Sequence, residues 1–143
     1  MGTNLTQALG ELDLLKERIH NSVNQVEIEL VTKIFDRVIG SPPLGTPRDT
    51  QWASAGWRIS LNRPTPGVVG EKGDVTTARS SQSKSLSSFL TADLSKIDSI
   101  FIDNRVPYIE ELNDGSASKQ SIPDFVDVAV YTSYRSLQSK RIS

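Results

Sequence analysis

The sequence contains no cysteine and a single histidine, His20. The absence of thiols excludes disulfides, thiolate metal sites and cysteine nucleophiles together. One imidazole cannot form a two-histidine metal site, and the neighbouring Arg18 and Asn21 supply no nucleophile–base–acid arrangement. We therefore expect a solvated or interface histidine, with no catalytic residues, no metal ligands and no cofactor.

An excess of charge of one sign is also lacking, because 16 Lys and Arg residues accompany 17 Asp and Glu residues, for a net charge of −1. A near-neutral protein has no overall field that draws it to nucleic acid or to a membrane. Apolar runs are short, as in Ile100-Phe101-Ile102, and fall far below the length that a transmembrane helix needs. We therefore expect no membrane partner.

Three patterns look like functional motifs but lack groups that the chemistry needs. The stretch 67–73 has the glycines of a phosphate-binding loop without its Gly-Lys-Ser/Thr ending. Glu110 and Glu111 are adjacent, so on a helix they diverge by about 100° and address different atoms. Asp124 and Asp127 share a helix face, which solvation and the helix dipole explain. The chain is predicted not to be an enzyme.

Charge is distributed unevenly along the chain. Residues 58–84 are mildly basic, whereas residues 93–114 are clearly acidic. Within one subunit this can be scattered solvated charge; between identical copies it would favour head-to-tail contact of the basic segment with the acidic one. The residues predicted to carry such a subunit interface are Arg63, Lys72, Arg79, Glu110 and Glu111.

The first forty residues predict one long helix over 3–40. Its apolar residues follow heptad spacing from Leu5 to Leu30, with Lys16 as the polar exception. Gly40 and the prolines after it end the helix. Such a helix would extend about 50 Å at 1.5 Å per residue, which is more than a small domain covers. Its apolar stripe either packs within its own chain or partly meets another subunit.

The remaining sequence predicts short elements of both kinds. Trp57, Ile59 and Leu61 alternate with polar residues as in a half-buried strand, and 98–104 is a second strand candidate. Residues 63–85 are rich in Pro, Gly, Ser and Thr and predict a flexible arm, loop or hairpin tip.

Three further helices are predicted. One starts near Ser85, a short one covers Pro107 to Asn113, and Pro123 opens the last, with Asp124 in its first turn. The predicted fold is a single α+β domain over 1–143, with a long N-terminal helix, a small antiparallel sheet carrying a long extended loop or hairpin, short helices and a C-terminal helix.

Two blocks of sequence resemble the tail-completion, or head–tail joining (neck), proteins of tailed bacteriophages. The first is TPRDTQWASAGWRISL at 46–61, where Thr-Pro and Asp-Thr lead into a small-residue and tryptophan segment. The second is SIFIDNRVPYIEELNDGSASKQSIPDFVDVAV at 99–130. It contains a strand, an Asn, a Pro-Tyr pair, an acidic residue before a Leu, and a Gly-Ser turn, followed by a helix that a proline opens. The matching residues are Thr46, Pro47, Asp49, Thr50, Trp57, Asn104, Pro107, Tyr108, Glu110 or Glu111, Leu112, Gly115, Ser116, Pro123 and Val126.

Two departures from the family pattern concern the subtype more than the fold. Gln51 stands where the family usually has glycine, and Ser121-Ile122 stand where it more often has an Ala-Pro-like run. The tail-terminator, neck-ring and tail-completion subtypes all remain open.

The resemblance implies a non-enzymatic structural protein of the virion neck or tail, assembled in the host cytoplasm. It implies a ring, typically of six copies, between the portal–connector and the tail tube or tail terminator. Double-stranded DNA would pass its lumen without sequence-specific contact.

Two other functions stay open at the level of sequence. The heptad helix could belong to a cytoplasmic adaptor, unrelated to phages, that binds a partner helix. The basic segment 58–84 could bind DNA non-specifically through phosphates, with an affinity that falls steeply with salt.

Overall fold

A computed structural model describes residues 11–12, 24–48, 51–65, 67 and 71–142. Residues 11–12 and 24–39 are helical, and we call 24–39 α1. The other elements are α2 (Trp52–Ala55), β1 (Trp57–Leu61), α3 (Val75–Leu90), a 3-10 turn (Leu94–Lys96), β2 (Ile100–Asn104), α4 (Ile109–Asp114) and α5 (Phe125–Ile142).

The predicted α+β class is confirmed, with a long N-terminal helix, a two-stranded antiparallel sheet and a C-terminal helix. The parts of the predicted 3–40 helix at 3–10 and 13–23, and His20 with them, lie outside the described residues.

The loop after α1 folds back and satisfies carbonyl groups at the end of that helix. Thr46 donates to the Val38 carbonyl from its backbone N–H at 3.0 Å and from its hydroxyl at 2.5 Å. Arg48 donates to the Ile39 carbonyl at 2.6 Å. These carbonyls have no partner within a helix, so the loop supplies one. Trp57 Nε1 donates to the Thr46 hydroxyl at 2.7 Å and ties the helix end to β1.

The core lies between α1, the sheet, α3 and α5. Phe35, Phe89 and Phe125 are at most 1 % exposed and come from three different helices. Trp52 and Trp57 are both 4 % exposed and belong to the same core. Burial of side chains this large from distant parts of the chain stabilises the arrangement by about 1.5–3 kcal/mol each.

The predicted flexible arm over 63–85 is wrong for residues 75–85, because α3 begins at Val75 and continues to Leu90. Asp74 caps the helix by accepting from Thr77 N at 3.0 Å. The helix has few apolar residues, and beside Ala78 and Phe89 it buries Gln82, which donates to one carbonyl of α2 and one of β1. Pattern reasoning that looks for apolar anchors overlooks a helix anchored by polar groups.

The sheet register joins the start of β2 to the end of β1. Leu61 lies opposite Ile100 and Trp57 opposite Asn104. The corner before β1 is tight, since a Cβ on Gly56 would lie 2.7 Å from Val106 Cγ2 and 2.8 Å from Asn104 Oδ1. Glycine is required there because no side chain fits.

The last two helices are joined by residues 115–124, which leave α4 at the predicted place and end in a turn before α5. Gly115 ends α4 with a φ of 84°, the left-handed exit expected of glycine. The prediction that Asp124 lies in the first turn of the last helix is wrong, because α5 begins at Phe125. Asp124 has a φ of 58° and donates its N–H to the Asn113 carbonyl at 2.6 Å, so it belongs to the turn.

Candidate interaction surfaces

The outer edge of β1 is closed by side chains of α3. Asn62 N donates to Ser99 O at 2.7 Å, so these two residues form a hydrogen-bonded pair. Hydrogen-bonded and non-hydrogen-bonded pairs alternate along an antiparallel ladder. The N–H and C=O groups of Trp57 and Ile59 therefore point away from β2. Ile59 N donates to Ser85 Oγ at 3.2 Å, and Gln82 Nε2 donates to Trp57 O at 3.2 Å. A helix thus takes the place that a third strand would occupy.

Arg79 strengthens this closure from the neighbouring turn of α3. Its guanidinium donates to Ser54 Oγ at 2.9 Å and to Gln82 Oε1 at 3.1 Å. Gln82 also donates to the Ser54 carbonyl at 2.9 Å. Burial, and secondly the nearby charge of Arg48, lower the pKa of Arg79. The guanidinium is therefore engaged inside the subunit, and its predicted role at a subunit interface stays a prediction.

The outer edge of β2 is not closed in the way that the edge of β1 is. By the same alternation, Ile100 and Ile102 direct their N–H and C=O groups away from β1. Within the part of the chain that the structure describes, no hydrogen bond reaches these backbone groups. β2 thus presents an open edge, which is the usual template for pairing with another chain.

One face of the sheet carries a polar cluster that ties down the loop after β1. Arg58 lies opposite Asp103 in the register and is 5 % exposed. Arg58 donates to Gly67 O at 3.2 Å, and Asp103 accepts from Thr65 N at 2.7 Å. Arg105 Nε donates to Thr65 O at 2.8 Å. Burial lowers the pKa of Arg58, while Asp103 acts in the opposite direction. Arg58 is thus a structural cation.

The other predicted interface residues are on the surface, and the structure does not gather them into one patch. Glu110 and Glu111 are exposed in the first turn of α4, which follows the end of β2. Arg63 is exposed just after the end of β1, and Lys72 is exposed before α3. Because the strands are antiparallel, Arg63 and the two glutamates follow opposite ends of the sheet.

An apolar groove separates α1 from β2. Two adjoining cavities of about 230 and 270 Å³ share Leu30, Val31 and Ile100 as lining residues. The groove continues to Val130 of α5, which is 45 % exposed. Tyr131 and Tyr134 beside it on α5 are 62 % and 51 % exposed. Large apolar and aromatic side chains exposed together are typical of interaction surfaces.

Sequence reasoning missed both sheet edges and the role of Gln82. The signal was partly present, because the alternation of Trp57 with Ile59 and of Ile100 with Ile102 defines one apolar face on each strand. Which backbone groups point outward depends on the register, and no tight hairpin turn joins the strands to fix it.

Among the described residues, no three His, Cys, Asp or Glu side chains form a group able to hold a metal ion. None of the described helices combines the length and the apolar content needed to cross a membrane. Comparisons with models of protein families, with curated proteins and with solved structures find no match for the chain.

Proposed function

We propose that the chain is a structural, ring-forming subunit that joins the head of a tailed bacteriophage to its tail and lets DNA pass through its lumen. One observation carries the proposal: the two blocks that resemble neck and tail-completion proteins are neighbours in the fold. β1 from the first block pairs with β2 from the second, and Asn104 Nδ2 donates to Ala53 O at 2.7 Å. The rings of Trp52 and Tyr108 lie 6.1 Å apart.

These contacts support the resemblance because two separate sequence matches become one structural unit. Chance similarity in two stretches gives no reason for them to share a sheet, a side-chain hydrogen bond and an aromatic contact. Asn104, Tyr108 and Leu112 are among the matching residues, and Leu112 is 6 % exposed in the core.

The surface charges support a head-to-tail arrangement. Arg63 and the pair Glu110 and Glu111 follow opposite ends of the sheet. In a closed ring of identical subunits, each interface joins two different patches of the same protein. Contact of Arg63 on one subunit with Glu110 and Glu111 on the next then favours the correct order of subunits and disfavours contact of like charges.

The proposal is tested by deleting the gene in the phage genome and examining the particles by electron microscopy. We expect DNA-filled heads and complete tails that do not join, with joining restored by the wild-type gene supplied from a plasmid. Normally joined virions from the deletion would contradict the proposal.

A charge exchange tests the ring contact itself. Glu110→Lys with Glu111→Lys should leave the circular dichroism spectrum and the urea midpoint nearly unchanged, because both side chains are exposed. Joining of heads to tails should fall, and Arg63→Glu in the same chain should restore it. Lys96→Glu instead of Arg63→Glu is the matched control, because Lys96 is exposed and is not among the predicted interface residues. Rescue by both or by neither would contradict the specific pairing.

A further inference from the structure

We propose that the outer edge of β2 binds an extended segment of a different polypeptide, which adds to the sheet as a third strand. Its apolar side chains would enter the groove beside α1, and a Lys or Arg at one end would lie against Glu27 and Asp98. This binding can be measured with the purified protein, and the inference does not rest on the proposed role in phage assembly.

The backbone of β2 gives the binding mode. Ile100 and Ile102 offer N–H donors and C=O acceptors at the spacing of a strand, and the described residues leave them unsatisfied. Only another backbone in extended conformation matches this alternation of donors and acceptors. The opposite edge is not available, because Gln82 and Ser85 already occupy it.

The groove beside this edge gives the side-chain preference. It runs along β2 and is lined on the other side by half-buried Leu30, Val31 and Ile34 of α1. Every second side chain of an added strand would point to the same face as Ile100 and Ile102. A partner with apolar residues at alternate positions would therefore remove apolar surface of both chains from water.

The charge at one end of the groove decides between a foreign strand and a second copy of this chain. Among the described residues that line it, Glu27 and Asp98 carry charge, and both are acidic. β2 carries Asp103 and no basic residue, and Arg105 just after it is bound to Thr65. A second copy pairing its own β2 edge here would therefore bring no positive charge from that strand to Glu27 and Asp98. A different polypeptide with a basic residue at that end is complementary instead.

The binding experiment uses a synthetic peptide of about nine residues, a typical strand length, with valine at alternate positions, threonine between them and lysine at one end. Its affinity is measured by calorimetry, and amide hydrogen exchange of the protein is followed by NMR. We expect the amides of Ile100 and Ile102 to gain protection on binding, while the amide of Ile59 changes little. A peptide that binds without protecting Ile102 would overturn the proposal.

Matched variants separate the backbone contribution from the side-chain contribution. Ile102→Pro removes an outward N–H that the ladder does not use, and proline is tolerated at such edge positions. We expect roughly tenfold weaker binding from the loss of one backbone hydrogen bond. Ile102→Val should bind like the wild-type protein. Equal affinity of the proline and valine variants, both folded, would contradict strand addition.

Two control peptides complete the test without altering the protein. In the first control peptide, the amide nitrogens of the valines are methylated. This peptide should not bind if the valine N–H groups pair with β2. The result does not depend on whether Ile102→Pro folds. Replacement of the terminal lysine by glutamate should weaken binding several-fold at low salt and less at high salt. If Ile102 becomes protected with rising protein concentration in the absence of peptide, the occupant is a second copy and the proposal is wrong.

Discussion

The two outer edges of the sheet show how one small structural unit can serve both stability and recognition. On β1, Ser85 and Gln82 of α3 bind the outward N–H of Ile59 and the outward C=O of Trp57. On β2, the corresponding groups of Ile102 have no partner among the described residues. An isolated two-stranded sheet is marginal, so closing one edge with a helix stabilises it while the other edge stays accessible.

The largest effect is expected on stability, when proline replaces Phe101 of β2 and not its neighbour Ile102. Phe101→Pro removes the N–H that pairs with Ser60 in the ladder and leaves the Ser60 carbonyl unpaired, at a cost of about 3 kcal/mol. Ile102→Pro removes only an outward N–H and should cost about 1 kcal/mol, mostly from the smaller side chain. Urea unfolding measures both, with Phe101→Ala and Ile102→Ala as side-chain controls. The backbone contribution of each proline is its loss of unfolding free energy beyond that of the alanine control at the same position. Equal backbone contributions at Phe101 and Ile102 would show that the register or the open edge is misassigned.

The next effect concerns the closed edge. Gln82→Leu keeps the size of the side chain but leaves the carbonyls of Ser54 and Trp57 without a donor, and we expect a loss of about 2–3 kcal/mol. The same change at Gln138, which is exposed and donates to Tyr134, should alter stability by less than about 0.5 kcal/mol. Similar midpoints of urea unfolding for the two variants would mean that Gln82 does not close the edge.

A smaller effect is expected at Ser85, the acceptor for Ile59 N. Ser85→Ala removes the bond from Ile59 N and the bond that the hydroxyl donates to Gln82 O. It should cost about 1 kcal/mol, mainly because the Ile59 N–H is left unpaired. Ser83→Ala is the matched control on the same helix, since Ser83 is exposed and alanine favours helix. Faster amide exchange of Ile59 in Ser85→Ala, but not in Ser83→Ala, would localise the loss to this edge. No difference between the two variants would contradict the assignment.

The smallest effect is a pH dependence at the start of α3. The side-chain and backbone hydrogen bonds of Thr77 lower the pKa of Asp74 below its ordinary value. The lowered pKa means that this carboxylate stabilises the fold above its ordinary pKa and loses the contribution as pH falls through the lowered one. Asp74→Asn retains a capping acceptor but does not titrate. Its stability should therefore fall less steeply in acid than that of the wild-type protein; equal slopes would contradict this role.

Sequence reasoning reached the class of fold, both strands and the short helix before Gly115, because these depend on local alternation and turn residues. It failed for α3, whose Gln82, Ser85 and Arg79 bind β1 and α2 through polar groups that resemble those of a loop. It also placed Arg58 and Arg79 together with exposed basic residues. Their burial follows from the register and from helix packing, which local patterns do not encode. The interface residues Arg63, Glu110 and Glu111 stay predictions.

The most direct test of the contrast between the two edges is native-state amide hydrogen exchange of Ile59 and Ile102 in the free protein. Both residues lie at the same level of the sheet and face each other in the register, so differences in depth along the strands do not enter. We predict slow exchange at Ile59, whose N–H is bound by Ser85, and much faster exchange at Ile102. Equal protection of the two amides, independent of protein concentration, would contradict an open edge on β2.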